Sequence, residues 1–332
     1  MVRRLRALFP VVCMLLIVAL MAGSAYGKTY KVAFTSIPSL SDAPMEIAFE
    51  HMKALGYDLE PIYFETDVLA ALALASGQVD IGMCIPFAAI QQGADLRIFC
   101  EGRGIEFAAV VPVEIQSWAD MNGKEMYVHA AGSATLAQAQ FVQEKYGIQF
   151  SRINFMPGGE VRYVALLNGQ IDATFLDIAT TQMVLEQAPG KFHVLPMDAA
   201  DGSTESFCAS RTFIAQNATL IHDLIAELLK SNRRGNADYT YWVEEADKYQ
   251  LLMDVPDRDQ LAKLLRLNVT AGVFDPNGAI TPELALGNFE LYVAGEELVG
   301  PVESLNIYDY YDFEPLNAVL DELGRVSITV QF

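Results

Sequence analysis

The sequence has 332 residues and carries 22 Lys or Arg against 42 Asp or Glu, which gives a formal net charge of −20 at pH 7. A surface this acidic repels nucleic acid and anionic membranes, and no basic cluster offsets it, so the composition excludes a nucleic-acid-binding protein. The length suits two domains of about 150 residues each.

The first residues have the order of a secretory signal peptide. A positive segment with three arginines precedes the apolar run 11–21, and Ala25-Tyr26-Gly27 offers small residues for cleavage. The apolar run is short for a bilayer span of about 20 residues, which disfavours the alternative of a membrane anchor. We therefore expect cleavage after Gly27 and a soluble, monomeric periplasmic protein of 305 residues.

The chain after Gly27 alternates strands and helices. Apolar periodicity and turn residues predict strands at 30–35, 59–64, 79–82 and 96–100, separated by helices at 44–55, 68–76 and 86–92. Such alternation indicates a parallel sheet that is covered by helices on both faces.

The same order of elements then returns. The pattern Leu-x-x-Gly-Gln-(Val/Ile)-Asp ends at Asp80 and again at Asp172, 92 residues later, and the glycines that end two helices, Gly56 and Gly147, lie 91 residues apart. The second copy has predicted strands at 127–130, 153–156, 171–175 and 193–197, and predicted helices at 133–146, 161–167 and 178–187. Two copies of a β-α-β-α-β unit indicate two similar lobes with a cleft between them for a ligand.

The segments outside the two copies are predicted to connect and cover them. We interpret 107–113 as a strand that crosses to the second lobe and 207–214 as the returning strand, with the hinge at 107–113 and 206–210. The chain from 218 onward is predicted to be mostly helical and to pack on the first lobe. Its segment 309–312, DYYD, favours packing over ligand binding, and 326–332 either adds an edge strand or frays.

A resemblance to a known family is carried by three segments: GQVDIG…PFAAIQQGADLRIF, MNGKEMYVHAAGSATLAQAQFVQEKYGI and LLNGQIDATF. They resemble the substrate-binding proteins of ABC importers for nitrate, sulfonates, taurine and thiamine-pyrimidine precursors, over about 30–236. The resemblance implies an α/β, two-lobed type II periplasmic-binding-protein fold, with two parallel-rich sheets flanked by helices and two crossing strands. It also implies that the protein closes on a small organic ligand and delivers it to an ABC permease in the inner membrane.

The domain organisation follows from the repeat together with this resemblance. We expect a signal peptide at 1–27, a first lobe made of 28–110 and 208–332, and a second lobe at 111–207.

Candidate ligand-binding residues are those that directly follow predicted strands, because ligands gather at the carboxyl ends of parallel strands. Ser133 and Thr135 begin a helix whose N–H groups and dipole suit a carboxylate, a sulfonate or a carbonyl oxygen, and the resemblance favours ligand contact over a simple cap. The other candidates, each with a structural alternative such as a capped turn, core packing or a surface ion pair, are Ser36, Pro38, Ser39, Cys84, Ile85, Phe87 and Arg103.

Acidic residues dominate the predicted rim of the cleft. Glu65, Asp67, Glu160 and Asp177 all follow predicted strands, although Asp177 could simply cap a helix. This charge argues against a doubly charged anion such as phosphate. A zwitterion or a neutral heterocycle fits better, with its acidic end on the Ser133 helix and its amine or ring N–H on Asp177 or Glu160.

The remaining reactive side chains do not form a catalytic pattern. The cysteines after Gly27, at 84, 100 and 208, have apolar neighbours; a bridge between Cys84 and Cys100 is the alternative to three buried thiols. Among the four histidines, only His129 ends a predicted cleft-facing strand, where hydrogen bonding is favoured over catalysis. We therefore expect no enzyme, metal or cofactor; the alternatives are a periplasmic enzyme on the same fold or a ligand sensor for a signalling partner.

Overall fold

Two sheets of five strands organise the computed structural model, which describes residues 28–35, 40–104, 107–197, 202–252 and 257–327. The predicted signal peptide at 1–27 therefore lies outside the described residues, as do Ser36, Pro38 and Ser39 and the segment 328–332. Within the described part of the chain, no helix has both the length and the apolar character to cross a membrane.

The first sheet has the strand order β2-β1-β3-β10-β4. Its strands are β1 (Thr29–Thr35), β2 (Asp58–Phe64), β3 (Ile81–Cys84), β4 (Leu96–Gly104) and β10 (Ser203–Ser210). β1 runs parallel to β2 and β3, whereas β10 is antiparallel to both of its neighbours, β3 and β4.

The second sheet repeats this plan with the order β7-β6-β8-β5-β9. Its strands are β5 (Phe107–Pro112), β6 (Glu125–Val128), β7 (Arg152–Phe155), β8 (Thr174–Asp177) and β9 (Phe192–Leu195). β6 is parallel to β7 and β8, and β5 is antiparallel to β8 and β9. The two sheets thus share one topology, which confirms the predicted repeat and the predicted fold class.

Helices flank both sheets, and several of them begin at a capping side chain or end at a glycine. In chain order they are α1 (Ala43–Ala54), α2 (Asp67–Ala75), α3 (Phe87–Gln91), α4 (Ala134–Tyr146), α5 (Gly159–Leu167), α6 (Ile178–Gln187), α7 (Arg211–Gln216), α8 (Ala218–Ala237), α9 (Thr240–Tyr249), α10 (Arg258–Thr270), α11 (Pro282–Ala294) and α12 (Glu314–Leu323). Side-chain oxygens cap α2, α4 and α6 through Thr66, Ser133 and Asp177. α4 ends at Gly147 with a left-handed φ of 63°, which glycine adopts without steric cost.

The helical tail packs on the first sheet, as predicted. Leu220, Leu224 and Leu316 share one apolar core with β1, β3 and β4. Tyr310 and Tyr311 of the DYYD segment are buried in the same core, which confirms their packing role.

The tail also contacts the second lobe, which the sequence did not predict. A β-carbon on Gly295, just after α11, would lie 2.6 Å from the β-carbon of Ala137 in α4, and Lys263 of α10 pairs with Glu186 of α6. The tail therefore bridges the lobes on two sides.

The crossings between the sheets lie earlier than the predicted crossing strands. β5 pairs only within the second sheet, and β10 only within the first. The chain therefore changes sheet between Gly104 and Phe107 and again between Leu195 and Ser203. The predicted division at 110/111 and 207/208 stays a prediction.

Several predicted strand boundaries were wrong by two to four residues, including the ends of β4 and β6. The strand predicted at 207–214 ends at Ser210, because the Ser210 hydroxyl accepts the Phe213 N–H and begins α7. β3 and β8 begin two and three residues later than predicted. The reason is visible before β3, where Asp80 still lies in the turn and its carboxylate accepts the backbone N–H of Lys31 at 2.9 Å.

Candidate functional site

The carboxyl ends of the two sheets meet, and the contact is made by the loops that follow β2 and β6. The imidazole Nε2 of His129, after β6, lies 3.0 Å from the backbone oxygen of Glu65, after β2. A β-carbon on Gly132 would lie only 2.8 Å from Cγ2 of Val68, at the start of α2. The predicted cleft-facing ends therefore do face one another.

His129 has a defined tautomer at this contact. Its Nδ1 accepts the Gly158 N–H at 3.1 Å, and a backbone N–H cannot serve as an acceptor. Nε2 must then carry the proton that is donated to the Glu65 carbonyl. Burial lowers the pKa of His129, and the nearby Arg162 guanidinium acts in the same direction. A neutral imidazole is the form that this geometry requires.

The loop between His129 and α4 is held by two buried hydroxyls. Ser133 Oγ donates to the Ala130 carbonyl at 2.8 Å and accepts the Leu136 N–H at 3.3 Å. Thr135 Oγ1 accepts the backbone N–H of His129 at 2.9 Å and lies 3.1 Å from Ser133 Oγ. These two predicted ligand-binding hydroxyls thus stabilise the loop that positions His129, and their contact with a ligand stays a prediction.

The lobe-one side of the site contains a buried cluster of charges. Arg103 of β4 pairs with Glu205 of β10, and its Nη1 lies 3.7 Å from Oδ1 of Asp42. Glu205 also accepts the Thr35 hydroxyl at the end of β1. Burial raises the pKa of Glu205, while Arg103 lowers it. The charge of Arg103 is therefore engaged by acidic neighbours, although its predicted role in ligand binding stays untested.

Asp67 lies nearby at the start of α2. Its Oδ1 accepts the backbone N–H of Ile85 at 3.1 Å, which joins the loop after β2 to the loop after β3. The side chain is buried, and burial, followed by the charge of Glu205, raises the pKa of Asp67 well above its usual range. Burial without a paired cation makes the ionised form of Asp67 unfavourable. A ligand that brings a positive charge or an N–H donor to this end of the sheet would reverse that effect.

The lobe-two side is built around Arg162 of α5. Its guanidinium donates to the carbonyl of Met156 at 2.9 Å and to that of Phe175 at 3.2 Å, so it ties the end of β7 to β8. Burial lowers the pKa of Arg162 to about 10. Asp177 is the N-cap of α6, where it accepts the Thr180 N–H at 2.8 Å, and Glu160 is exposed in the first turn of α5. Asp177 thus has the alternative role that the sequence allowed, as the cap of a helix.

The loop after β3 contributes mostly packing. Cys84 and Ile85 are buried, and the ring of Phe87 lies 4.9 Å from that of Tyr292 within an aromatic cluster. Ligand contact by these three predicted site residues remains a prediction.

The three cysteines at 84, 100 and 208 are free and buried. Cys84 and Cys100, the considered disulfide pair, lie on β3 and β4, which β10 separates. Sγ of Cys84 instead lies 3.8 Å from Sγ of Cys208 on β10. Among the described residues, no group of three or more His, Cys, Asp or Glu side chains is placed to hold a metal ion.

Sequence reasoning identified the loops of the site but missed several of its buried charges. Glu205, Asp42 and Arg162 were not among the candidates. A signal for two of them exists: Glu205 is the one charged residue of its strand, STESFCAS, and Arg162 lies on the helical segment VRYVALL. A charged side chain in such surroundings needs a partner, and it is often placed at a functional edge.

Two lobes of one topology, joined twice and facing each other with the carboxyl ends of their strands, define the fold of the periplasmic binding proteins. The NMT1/THI5-like family model matches residues 56–238, which is more than half of the chain. The protein belongs to this family.

Solved structures with the same fold include ligand-binding proteins from several bacteria. The ligand-binding component of an ABC-type import system from Staphylococcus aureus is 14% identical, with a TM-score of 0.67 over 88% of this chain and 99% of that one. The alkanesulfonate-binding protein SsuA from Xanthomonas axonopodis pv. citri is 16% identical, with a TM-score of 0.61 over 82% and 94%. The nitrate-binding protein NrtA from Synechocystis PCC 6803 is 12% identical, with a TM-score of 0.52 over 90% and 99%. Comparison with curated protein sequences gives no match.

Proposed function

We propose that the protein is the solute-binding component of an ABC importer, which closes its two lobes around a small organic ligand and delivers it to a membrane permease. The observation that carries this proposal is the meeting of the two sheets at their carboxyl ends, where His129 reaches the Glu65 carbonyl of the other lobe. Membership of the NMT1/THI5-like family supports it, as do neighbours in fold that are described as binding alkanesulfonates or nitrate.

The proposed mechanism is a ligand-driven shift of the population from the open form to the closed form. A ligand that contacts both lobes binds the closed form more tightly than the open form, and this difference in affinity is what closes the cleft. The two connections between the sheets, which join β4 to β5 and β9 to β10, would act as the hinge. The permease in the inner membrane would then recognise the closed form, after export of the chain to the periplasm.

The charges around the site favour a ligand with a positive or N–H-donating group. Asp67 is a buried acid and Glu205 is a largely buried one, with 12% of its side chain exposed, whereas the charge of Arg103 is already engaged by Glu205. We propose an amino-sulfonate, an amino-carboxylate or a pyrimidine-like heterocycle, with its amine or ring N–H toward these acids. The acidic or carbonyl end would lie at the positive end of α4, near Ser133.

A thermal-shift screen of the mature chain tests this function. Taurine, β-alanine and a 4-aminopyrimidine are compared with methanesulfonate, acetate and nitrate, each at millimolar concentration. A ligand at 100 times its Kd should stabilise the folded protein by about 2.7 kcal/mol. Hits are confirmed by calorimetry, and the ligand is recovered after incubation to show that it is chemically unchanged.

Asp67→Asn provides the site variant, and Asp80→Asn, at the opposite ends of the strands, is the matched control. We expect a tenfold or greater loss of affinity for an amine-bearing ligand in the first variant only. If methanesulfonate or nitrate binds and no amine does, the protein would still be a solute-binding protein. The proposal that its ligand carries an amine or N–H group would be refuted. Conversion of a bound compound into product would refute the binding-protein proposal itself.

A further inference from the structure

We propose that His129 is a pH-sensitive latch between the two lobes, a positioning residue that fastens the closed form only while its imidazole is neutral. This inference rests on the proposed opening and closing of the lobes and adds a means of regulation to it. Its test requires no ligand, so its failure is distinguishable from failure of the proposed ligand-binding function.

The latch is a chain of two hydrogen bonds through one ring. On one side, Gly158 N–H donates to Nδ1 at 3.1 Å within the second lobe. On the other side, Nε2–H donates to the Glu65 carbonyl of the first lobe at 3.0 Å. The first bond orients the ring for the second, so the contact between lobes depends on Nδ1 remaining an acceptor.

Protonation of Nδ1 removes the acceptor on which the contact between the lobes depends. A second proton on Nδ1 would point at the Gly158 N–H, so two donors would face each other and Gly158 would lose its acceptor. Gly158 has a φ of 89° as the N-cap of α5, and the helix has no side-chain cap to replace the lost partner. The ring has to turn away from Gly158, and its Nε2–H then leaves the Glu65 carbonyl.

The direction of the pH effect follows from the environments of the ring in the two forms. Burial at the contact lowers the pKa of His129. In the open form the ring loses the cover of the first lobe and returns toward the ordinary pKa of about 6.5. The open form therefore binds a proton more readily, and closure weakens as the pH falls below about 6.5. The ratio of closed to open molecules should fall about tenfold per pH unit between the two pKa values.

Other charged groups at this seam act on the ring or titrate near it. Glu65 and Glu160 favour the protonated ring, whereas Arg162 opposes it. Glu297 lies beside Gly132, and burial raises the pKa of this carboxyl as well. A variant without the His129 imidazole separates the contributions of His129 and Glu297 to the pH dependence. Any pH dependence that comes from Glu297 would remain in that variant.

The experiment measures the separation of the lobes without ligand. Nitroxide labels are attached at Leu72→Cys in α2 and Val164→Cys in α5, both about half exposed. The native cysteines of the described residues, at 84, 100 and 208, are buried, so we expect labelling of the folded protein at the introduced pair. Electron-spin distance measurements from pH 8 to pH 5 then compare wild type with His129→Phe. His193→Gln is the control, because His193 bonds to the Ile115 carbonyl inside the second lobe alone.

We expect wild type and His193→Gln to lose the short-distance population as the pH falls below about 6.5, and His129→Phe to show the long distance at every pH. A His129→Phe protein with the wild-type distances and pH response would overturn the proposal. Nitrogen-15 NMR of the wild-type ring is the second measurement, since it requires no variant. It should show a neutral Nε2–H tautomer with a pKa below that of a free histidine; an Nδ1–H tautomer would also overturn the latch.

Discussion

At the scale of single residues, the most consequential group is the buried charge cluster around Arg103. Its guanidinium lies between Glu205 and Asp42, with all three side chains largely inaccessible to water. Burying a charge costs free energy, and only pairing offsets that cost. The cluster therefore holds β4, β10 and the start of α1 in one arrangement at the edge of the proposed cleft.

Replacing Arg103 by Met should destabilise the protein strongly. The substitution leaves Glu205 and Asp42 without their cation, and such a change typically costs about 3–5 kcal/mol. Urea unfolding followed by tryptophan fluorescence measures the difference.

The control is Arg211→Met, which removes an ion pair of 2.6 Å with Asp95 that is about half exposed. Exposed pairs contribute about 0–1 kcal/mol, so this variant should unfold close to wild type. Equal effects of the two substitutions would show that the buried cluster has no special role in stability.

Single residues of the site were only partly predictable from the sequence. The positions after the strands were predictable, because strand ends can be read from periodicity, and His129, Ser133 and Thr135 do lie at the contact or directly behind it. The partners of Arg103 were not predictable. Glu205 is 102 residues away, and only the insertion of β10 between β3 and β4 brings the two together.

At the scale of elements, the segment 129–135, which joins β6 to α4, forms part of the contact between the lobes. His129 follows β6 and contacts the other lobe, and Ser133, four residues later, is the cap of α4. Thr135 connects the two ends of the loop by accepting the His129 N–H. The orientation of the histidine therefore depends on a hydroxyl in the first turn of the following helix.

Thr135→Val should loosen this loop with little change in shape, because valine replaces the hydroxyl by a methyl group. The partly buried His129 N–H then has no acceptor within the loop, at a cost of about 1–3 kcal/mol. We expect a lower melting temperature and faster amide exchange at 129–133.

Thr135→Ser keeps the hydroxyl and serves as the control for this loop. It should preserve slow exchange there despite the loss of a methyl group. If amide exchange is fast in the serine variant as well, the loosening comes from the lost methyl group and not from the lost hydroxyl.

Elements were the scale at which the sequence was most informative. The repeat of helix-ending glycines and of the Gly-Gln-(Val/Ile)-Asp pattern predicted the two equal units, and the sheets confirm them. Boundaries were harder where polar turns run directly into short strands, as before β3 and β8. The contacts of the tail with α4 and α6 were not predictable, because they join surfaces from distant parts of the chain that carry no common pattern.

At the scale of the whole molecule, the contact between the lobes includes a close approach at Gly132. This glycine has a φ of 74°, and a β-carbon there would lie 2.8 Å from Val68 and 3.2 Å from a carboxylate oxygen of Glu297. Gly132→Ala should therefore push the lobes apart. Small-angle X-ray scattering should show a larger radius of gyration than in wild type.

Gly123→Ala is the matched control, since Gly123 has a φ of 76° but no atom within 4 Å of a β-carbon. It carries the same backbone strain without the steric contact, so it should lose stability but keep the wild-type dimensions. An unchanged radius in Gly132→Ala would mean that Val68 and Glu297 move aside and that the lobes do not depend on this approach.

The insertion of β10 between β3 and β4 also has a consequence for how the protein is made. During synthesis, the first sheet cannot complete its pairing until β10 has been made, which happens only after the whole second lobe. Until then, the facing edges of β3 and β4 have no neighbour to pair with. A shortened chain that stops before Ser203 should thus be a target for chaperones and proteases, because its first sheet lacks β10, whereas the second sheet takes all five of its strands from one continuous stretch of chain.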